Sequence, residues 1–159
     1  MKKQHQFELD IISWYGCALC SLVYVILKFL GMNDLSVQDM HKIVDAGQRT
    51  KLNNGKYVLS SKLSVNSWEK LGDIIFSVLG FPEYSCLHMA TVSLELGLYF
   101  NTKRLYQYNV FDGVILQYKQ KNTKSKEPYH FVCNSYNPDD AVAIEHKPCG
   151  MRLMAFTKQ

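Results

Sequence analysis

The chain lacks a long apolar run. Its most hydrophobic stretch, Ala18 to Leu30, is about 13 residues and is interrupted by Lys28, too short to span a bilayer unaided. It also lacks the start of a secretory signal: "MKKQHQFELD" is charged, stays polar and reaches an acid by its tenth residue instead of entering an apolar region. The cysteine count of five is odd and the spacing irregular, which gives no disulfide framework. These absences point to a reducing, cytoplasmic setting or to export by another route, and they call for no membrane partner.

Strong charge of one sign is missing too. The net charge of +4 is thinly spread, and its one basic cluster, "KQKNTKSK" from Lys119 to Lys126, falls where a hairpin turn belongs. It has none of the interleaved aromatics of a strand-stacking surface, so no nucleic-acid partner is expected. There is no internal repeat and no linker. With 159 residues, 47% apolar and 13% aromatic, residues 1–159 suffice for one domain with a core of its own. Nothing in the composition speaks to oligomeric state.

What is present divides the chain in two. From Cys17 to Leu30 the apolar residues are nearly continuous and Gly31 follows as a stop, the pattern of a buried helix. "SVQDMHKIVDAG" (Ser36 to Gly47) opens on a Ser cap, spaces Val37, Met40, Ile43 and Val44 at helical intervals and closes on Gly, a second and amphipathic helix. Residues 48–62 are polar with an Asn-Gly step, a loop or short hairpin. Ser64 to Gly80 again has helical spacing, "EYSCLHM" is loop-like, and "TVSLELGLYF" (Thr91 to Phe100) fits helix or strand equally. The last third is rich in short β-type runs: "GVILQYKQ" (Gly113 to Gln120), "YHFVCNSY" (Tyr129 to Tyr136), "AVAIEHKP" (Ala141 to Pro148) and then "MRLMAF". Helices followed by an antiparallel sheet describe an α+β domain.

Three chemistries fit "WYGCALC". A redox pair, Cys17 and Cys20, would sit at a helix start that favours a thiolate, but a thioredoxin-like unit needs a strand and a βαβ unit around the motif, and only sixteen residues precede Cys17. A zinc site would join Cys17 and Cys20 to His130 and Cys133. If "YHFVCNSY" is a strand, however, positions three apart point to opposite faces and cannot easily grip one ion. No metal or other cofactor is therefore expected. The third chemistry is a nucleophile: a thiolate at the first turn of a buried helix, with an imidazole on a strand packed against that helix end to take its proton and return it to a leaving group. Cys17 early and His130 late supply that order.

These residues carry a resemblance. "YGCALCSLVYVILKFLG", with "GVILQYKQ" and "HFVCNSYNPDDAVAIEHKP", resembles papain-like cysteine peptidases of the bacteriocin-leader-processing type, over roughly a third of the chain and in the family order. The resemblance implies a papain-like α+β fold, with Cys17 as nucleophile and His130 as general base. It leaves Cys20 as packing. The family places Asp or Asn just before a Pro on the strand after the His, whereas this chain reads "IEHKP". By strand parity His146 takes that orienting position, and a register shift of one puts Glu145 there instead. The oxyanion would be met by the backbone N–H of Cys17 and, in the family, by an upstream Gln; Gln6 is the choice here and Gln4 its competitor.

Trp14 and Tyr15 would wall the cleft or cap the core. His5, His41 and His88, like Cys86, Cys133 and Cys149, read as structural or solvated. The activity implied is hydrolysis of an amide in a peptide or a peptidoglycan stem, and a small solitary domain of this kind fits a bacterial or phage origin. The missing Asp or Asn before Pro148 supports a rival reading: an inactive papain-like domain that binds a peptide or protein partner.

Overall fold

The computed structural model describes residues 1–93, 111–119, 129–133 and 148–159. Among these residues a short 3-10 turn, Gln4–Phe7, leads into four helices: α1 (Asp10–Tyr15), α2 (Cys17–Leu30), α3 (Val37–Arg49) and α4 (Trp68–Val78). Four strands follow, β1 (Tyr84–Ser93), β2 (Gly113–Lys119), β3 (Tyr129–Val132) and β4 (Gly150–Lys158), in one antiparallel sheet of order β1-β4-β2-β3. The class is α+β.

Helix α2 is apolar on nearly every side and is buried accordingly. Leu19, Leu22, Val23, Ile26 and Leu27 are each at most 1% exposed, and each such burial stabilises by about 1.5–3 kcal/mol. The helix stops at Gly31, whose φ of 69° closes it in the left-handed conformation glycine favours. Helix α3 starts as the sequence predicts, with Ser36 Oγ accepting the Asp39 N–H at 3.0 Å. It runs on past Gly47 to Arg49, because that glycine makes room for Leu59 instead of ending the helix: an added Cβ would lie 2.6 Å from Leu59 Cδ1. Helix α4 begins later than Ser64, at the Ser67 cap whose Oγ accepts the Lys70 N–H. Between α3 and α4 the chain makes two isolated bridges, Lys51 with Tyr57, a minimal hairpin around the Asn-Gly step, and Leu59 with Val65.

The segment read as loop-like is strand β1. Its partner is β4, with Cys86 opposite Phe156, Leu87 opposite Ala155 and His88 opposite Met154, and the register shifts between His88 and Ala90. That bulge breaks the two-residue period, and the outward Leu87 and Met89 (39% and 50% exposed) leave apolar side chains on both faces. The alternation that identifies a half-buried strand is therefore absent from the sequence. Of "TVSLELGLYF", Thr91 to Ser93 complete β1 and the rest lies outside the described residues; so do all of "AVAIEHKP" but its Pro148, expected to be a strand, and the end of "YHFVCNSY".

One face of the sheet packs on α2 and α4 through Cys86, Ile115, Met154 and Phe156. At its centre Phe29, Phe76, Tyr84 and Phe156 meet with ring centroids 5.1–6.2 Å apart. The opposite face carries a second apolar cluster, Val114, Leu116, Tyr118, Val132, Met151 and Leu153. Sheet and helices approach closely where glycine allows: a Cβ at Gly72 of α4 would overlap the Cβ and Sγ of Cys86. Burial, then the Asp73 and Glu69 carboxylates, push the Cys86 thiol up to about 12.

Two outcomes are expected. Gly72→Ala should destabilise the fold by about 1–3 kcal/mol, read from denaturant midpoints, since helix and strand must part to admit a methyl group. Cys86 ionises in the unfolded chain near pH 9 and in the folded one only near 12, so its contribution to stability should be lost as pH rises above 9. Cys86→Ala should flatten that alkaline decline; an unchanged slope would mean other groups cause it.

Candidate active site

Helices α1 and α2 are nearly one helix, broken at Gly16. Gly16 N–H still donates to Ile12 O at 2.8 Å, and Cys20 N–H donates to Gly16 O at 2.8 Å. A side chain at this joint would put its Cβ 2.5 Å from Ile12 O and 2.9 Å from Ile12 Cγ2, so only glycine fits. The break makes Cys17 the first residue of α2. Gly16 offers no side-chain cap, which leaves the first N–H groups of α2 to face a developing negative charge.

The 3-10 turn at the N-terminus supports this joint from outside. Gln4 Nε2 donates to Ile12 O at 2.7 Å, as a second donor beside the Gly16 N–H, and to Ser13 O at 3.1 Å, a carbonyl near the end of α1. The turn is itself tied down. Lys2 Nζ meets Asp34 at 2.8 Å, Phe7 is fully buried, and His41 Nε2 lies 2.8 Å from Phe7 O. His41, read as a residue of the polar side of α3, is thus half-buried and holds the N-terminal segment. His88 lies on β1 with Nε2 3.0 Å from Thr91 Oγ1, and His5 is exposed.

A cavity of about 500 Å3 opens beside this joint, lined by Gln4, Ser13, Trp14, Tyr15, Cys17 and Ala18, by Lys62 to Val65 with Trp68, and by Gln117, Tyr129, His130, Phe131 and Arg152 from the sheet. Cys17, half-buried, and His130 are therefore brought to one cavity. Trp14 and Tyr15 are among its walls, Trp14 being 71% exposed. Strand β3 lies against the first turns of α2: Ser21 Oγ reaches both Cys17 O at 2.8 Å and Phe131 O at 3.5 Å.

The register assigns the sides of β3. Phe131 belongs to the helix side, its ring 5.6 Å from that of Trp68, and Cys133 joins the same core cluster. His130 stands opposite Tyr118 and shares its alternation with Val132, both in the cluster on the other face. His130 thus lines the cavity from β3, at one edge of the described sheet. The same parity separates His130 from Cys133, as the sequence predicts for a strand.

The upstream glutamine differs from the sequence choice. Gln6 is exposed and its Oε1 accepts the Lys3 N–H at 2.7 Å, closing the 3-10 turn on itself. Gln4 is the glutamine at the cavity, because two positions along a 3-10 helix stand about 240° apart around its axis. Both protons of Gln4 Nε2 are engaged by Ile12 and Ser13, so its visible work is to fix the α1–α2 joint. Cys20 is fully buried one turn inside α2, and none of the five cysteines forms a disulfide. Among the described residues no cluster of His, Cys, Asp and Glu is arranged to hold a metal. Glu145 and His146 lie outside the described residues. No described helix is long and apolar enough to cross a membrane.

Comparison with protein-family models, curated proteins and solved structures finds no match to the chain.

Gln4→Ala should cost about 1 kcal/mol in stability, because Ser13 O loses the Gln4 donor and Ile12 O one of its two, whereas Gln6→Ala should cost about 0.5 kcal/mol. Equal losses in denaturant unfolding would remove Gln4 from its supporting role.

Proposed function

We propose that this protein is a cysteine peptidase or amidase with a papain-like arrangement, acting on a peptide or peptidoglycan amide. The observation that carries this reading is the meeting, in one cavity, of a cysteine at the first position of a buried helix with a histidine from a late strand. The Cys17 thiolate attacks the amide carbonyl, and the backbone N–H of Cys17 at the open end of α2 receives the oxyanion. The imidazolium of His130, which took the Cys17 thiol proton, protonates the leaving amine as the C–N bond breaks, after which water, deprotonated by the imidazole, hydrolyses the acyl-enzyme to the acid and the proton returns to restore the thiol. His146 or Glu145 is assigned to orient the imidazole. With Gln4 engaged by α1, stabilisation of the oxyanion rests on backbone groups.

A second reading, a papain-like domain that binds a peptide or protein partner without cleaving it, is favoured by the parity of His130 with Val132, which sets its ring away from the helix side of β3. The redox and zinc readings are weaker. Cys20 is sealed in the core, and Cys133, just past β3, joins the helix-side core while His130 alternates with Val132 of the other face.

The rate of alkylation by iodoacetamide against pH, mapped to each cysteine by mass spectrometry, separates these readings. An active pair should make Cys17 the fastest thiol below pH 7, slowed about tenfold or more by His130→Ala. A Cys17 that behaves as an ordinary thiol and ignores His130 leaves the binding domain as the surviving reading.

A further inference from the structure

Two cations face the cavity. Arg152, on the central strand β4, is half-buried and holds its guanidinium 5.7 Å from the centre of the Phe131 ring, which in turn meets Trp68 at 5.6 Å. Lys62 reaches in from the α3–α4 connection with Nζ 5.8 Å from the centre of the Tyr15 ring. Among the described lining residues there is no Asp or Glu, and among the described residues no carboxylate pairs with Arg152 or Lys62.

Half-buried guanidinium groups ordinarily have a carboxylate partner, because burial penalises an uncompensated charge. Here burial holds the Arg152 guanidinium below its ordinary range, and the neighbouring Cys149 thiol offsets this only in part. The aromatic contact leaves the planar fork of N–H donors available for a two-pronged acceptor. The approach of Lys62 is also built in. Leu63, only 1% exposed, anchors the turn at φ 58°, a left-handed conformation unusual for a leucine, and Ser60 Oγ accepts the N–H groups of Lys62 and Ser64 at 3.2 and 3.0 Å.

We infer that the cavity beside Cys17 recognises a carboxylate on its ligand, with Arg152 as the principal contact and Lys62 as a second, more exposed one. The ligand is thus an acidic peptide or stem: either an Asp- or Glu-type side chain or a free α-carboxylate beside the reacting amide. The inference deepens the hydrolase reading and rests on this cavity being the substrate site. Its test reads charge preference instead of turnover, so the two fail separately.

Iodoacetate and iodoacetamide alkylate a thiolate by the same displacement of iodide and differ in one charge. The ratio of their rates at Cys17, divided by the same ratio for the uncharged thiol 2-mercaptoethanol, therefore reports the anion preference of the cavity whatever the absolute reactivity of the thiol. The normalised ratio should exceed unity and fall as salt is raised. Arg152→Gln should lower it about tenfold, the loss of one charge-assisted hydrogen bond, Arg152→Lys should restore part of it, and Lys62→Gln should lower it less.

Should Arg152→Gln fail to fold, Lys62→Gln and the salt dependence of the native protein still decide the matter. Protection of Cys17 against iodoacetamide by N-acetyl-glutamate amide assigns the site to a side chain, and protection by N-acetyl-alanine assigns it to an α-carboxylate. A normalised ratio at or below unity that is indifferent to salt and to both substitutions would overturn the inference. A ratio above unity with slow, His130-independent alkylation would support carboxylate binding while removing the catalytic reading.

Discussion

Helix α2 has to be covered on nearly every side, and the described part of the fold is arranged to do so. Fourteen residues from Cys17 to Leu30 present one fully exposed position, Lys28, near the end of the helix. Such a helix is stable only inside a shell. The described residues supply that shell with α4 and strands β2 and β3, and with a core shared with α3. The open end of α2 is brought to the cavity by the same requirement: once the helix is buried along its length, its first turn must emerge where packing stops. Cys17 is half-exposed and Cys20, one turn on, is fully buried, so the position of the thiol follows from the burial of the residues behind it.

Most of this scaffold could be read from the chain. The boundaries of α2 were legible to the residue because the apolar run and the glycine at its end agree, and the Ser36 cap located α3. The sequence was misleading where one residue type serves two physical purposes. Gly47 resembles a helix stop yet clears space for Leu59, and Gly72, a poor helix former inside α4, clears space for Cys86. Strand β1 was hidden by its bulge and by exposed Leu87 and Met89, since a strand is recognised by alternation and this one lacks it.

The candidate site was legible in its residue types and less so in its geometry. That Cys17 and His130 could line one cavity needed only the order of elements, which a linear reading supplies. The choice between Gln4 and Gln6 depended on the phase of a four-residue 3-10 turn, and nothing in the composition of that turn fixes its phase. The side of the sheet from which His130 starts depended on the register of β3 against β2, and register is set by long-range packing that a short run such as "YHFV" does not encode. Lys62 and Arg152 were missed for a related reason. Neither lies near Cys17 or His130 in sequence, and an isolated basic residue in a turn or a strand carries no pattern of its own.

Arg152 also links stability to chemistry. A guanidinium placed on the helix side of a central strand takes the place of an apolar residue, and without a carboxylate partner among the described residues it forgoes the usual compensation for leaving water. The run of contacts from Trp68 through Phe131 to Arg152 offsets part of that cost through edge-on ring and cation–π contacts. It also fixes the direction of the charge, because Trp68 is the first residue of α4 and its ring is largely buried. A rigid, partly desolvated donor beside a cysteine gains little in the empty protein and much when an anion arrives, since the penalty of burial has already been met in folding. The same low-dielectric wall that makes the cation costly strengthens its attraction for a carboxylate. Apolar packing at this position would improve the free protein and surrender the interaction, which is the physical ground for treating Arg152 as a recognition group and not as part of the core.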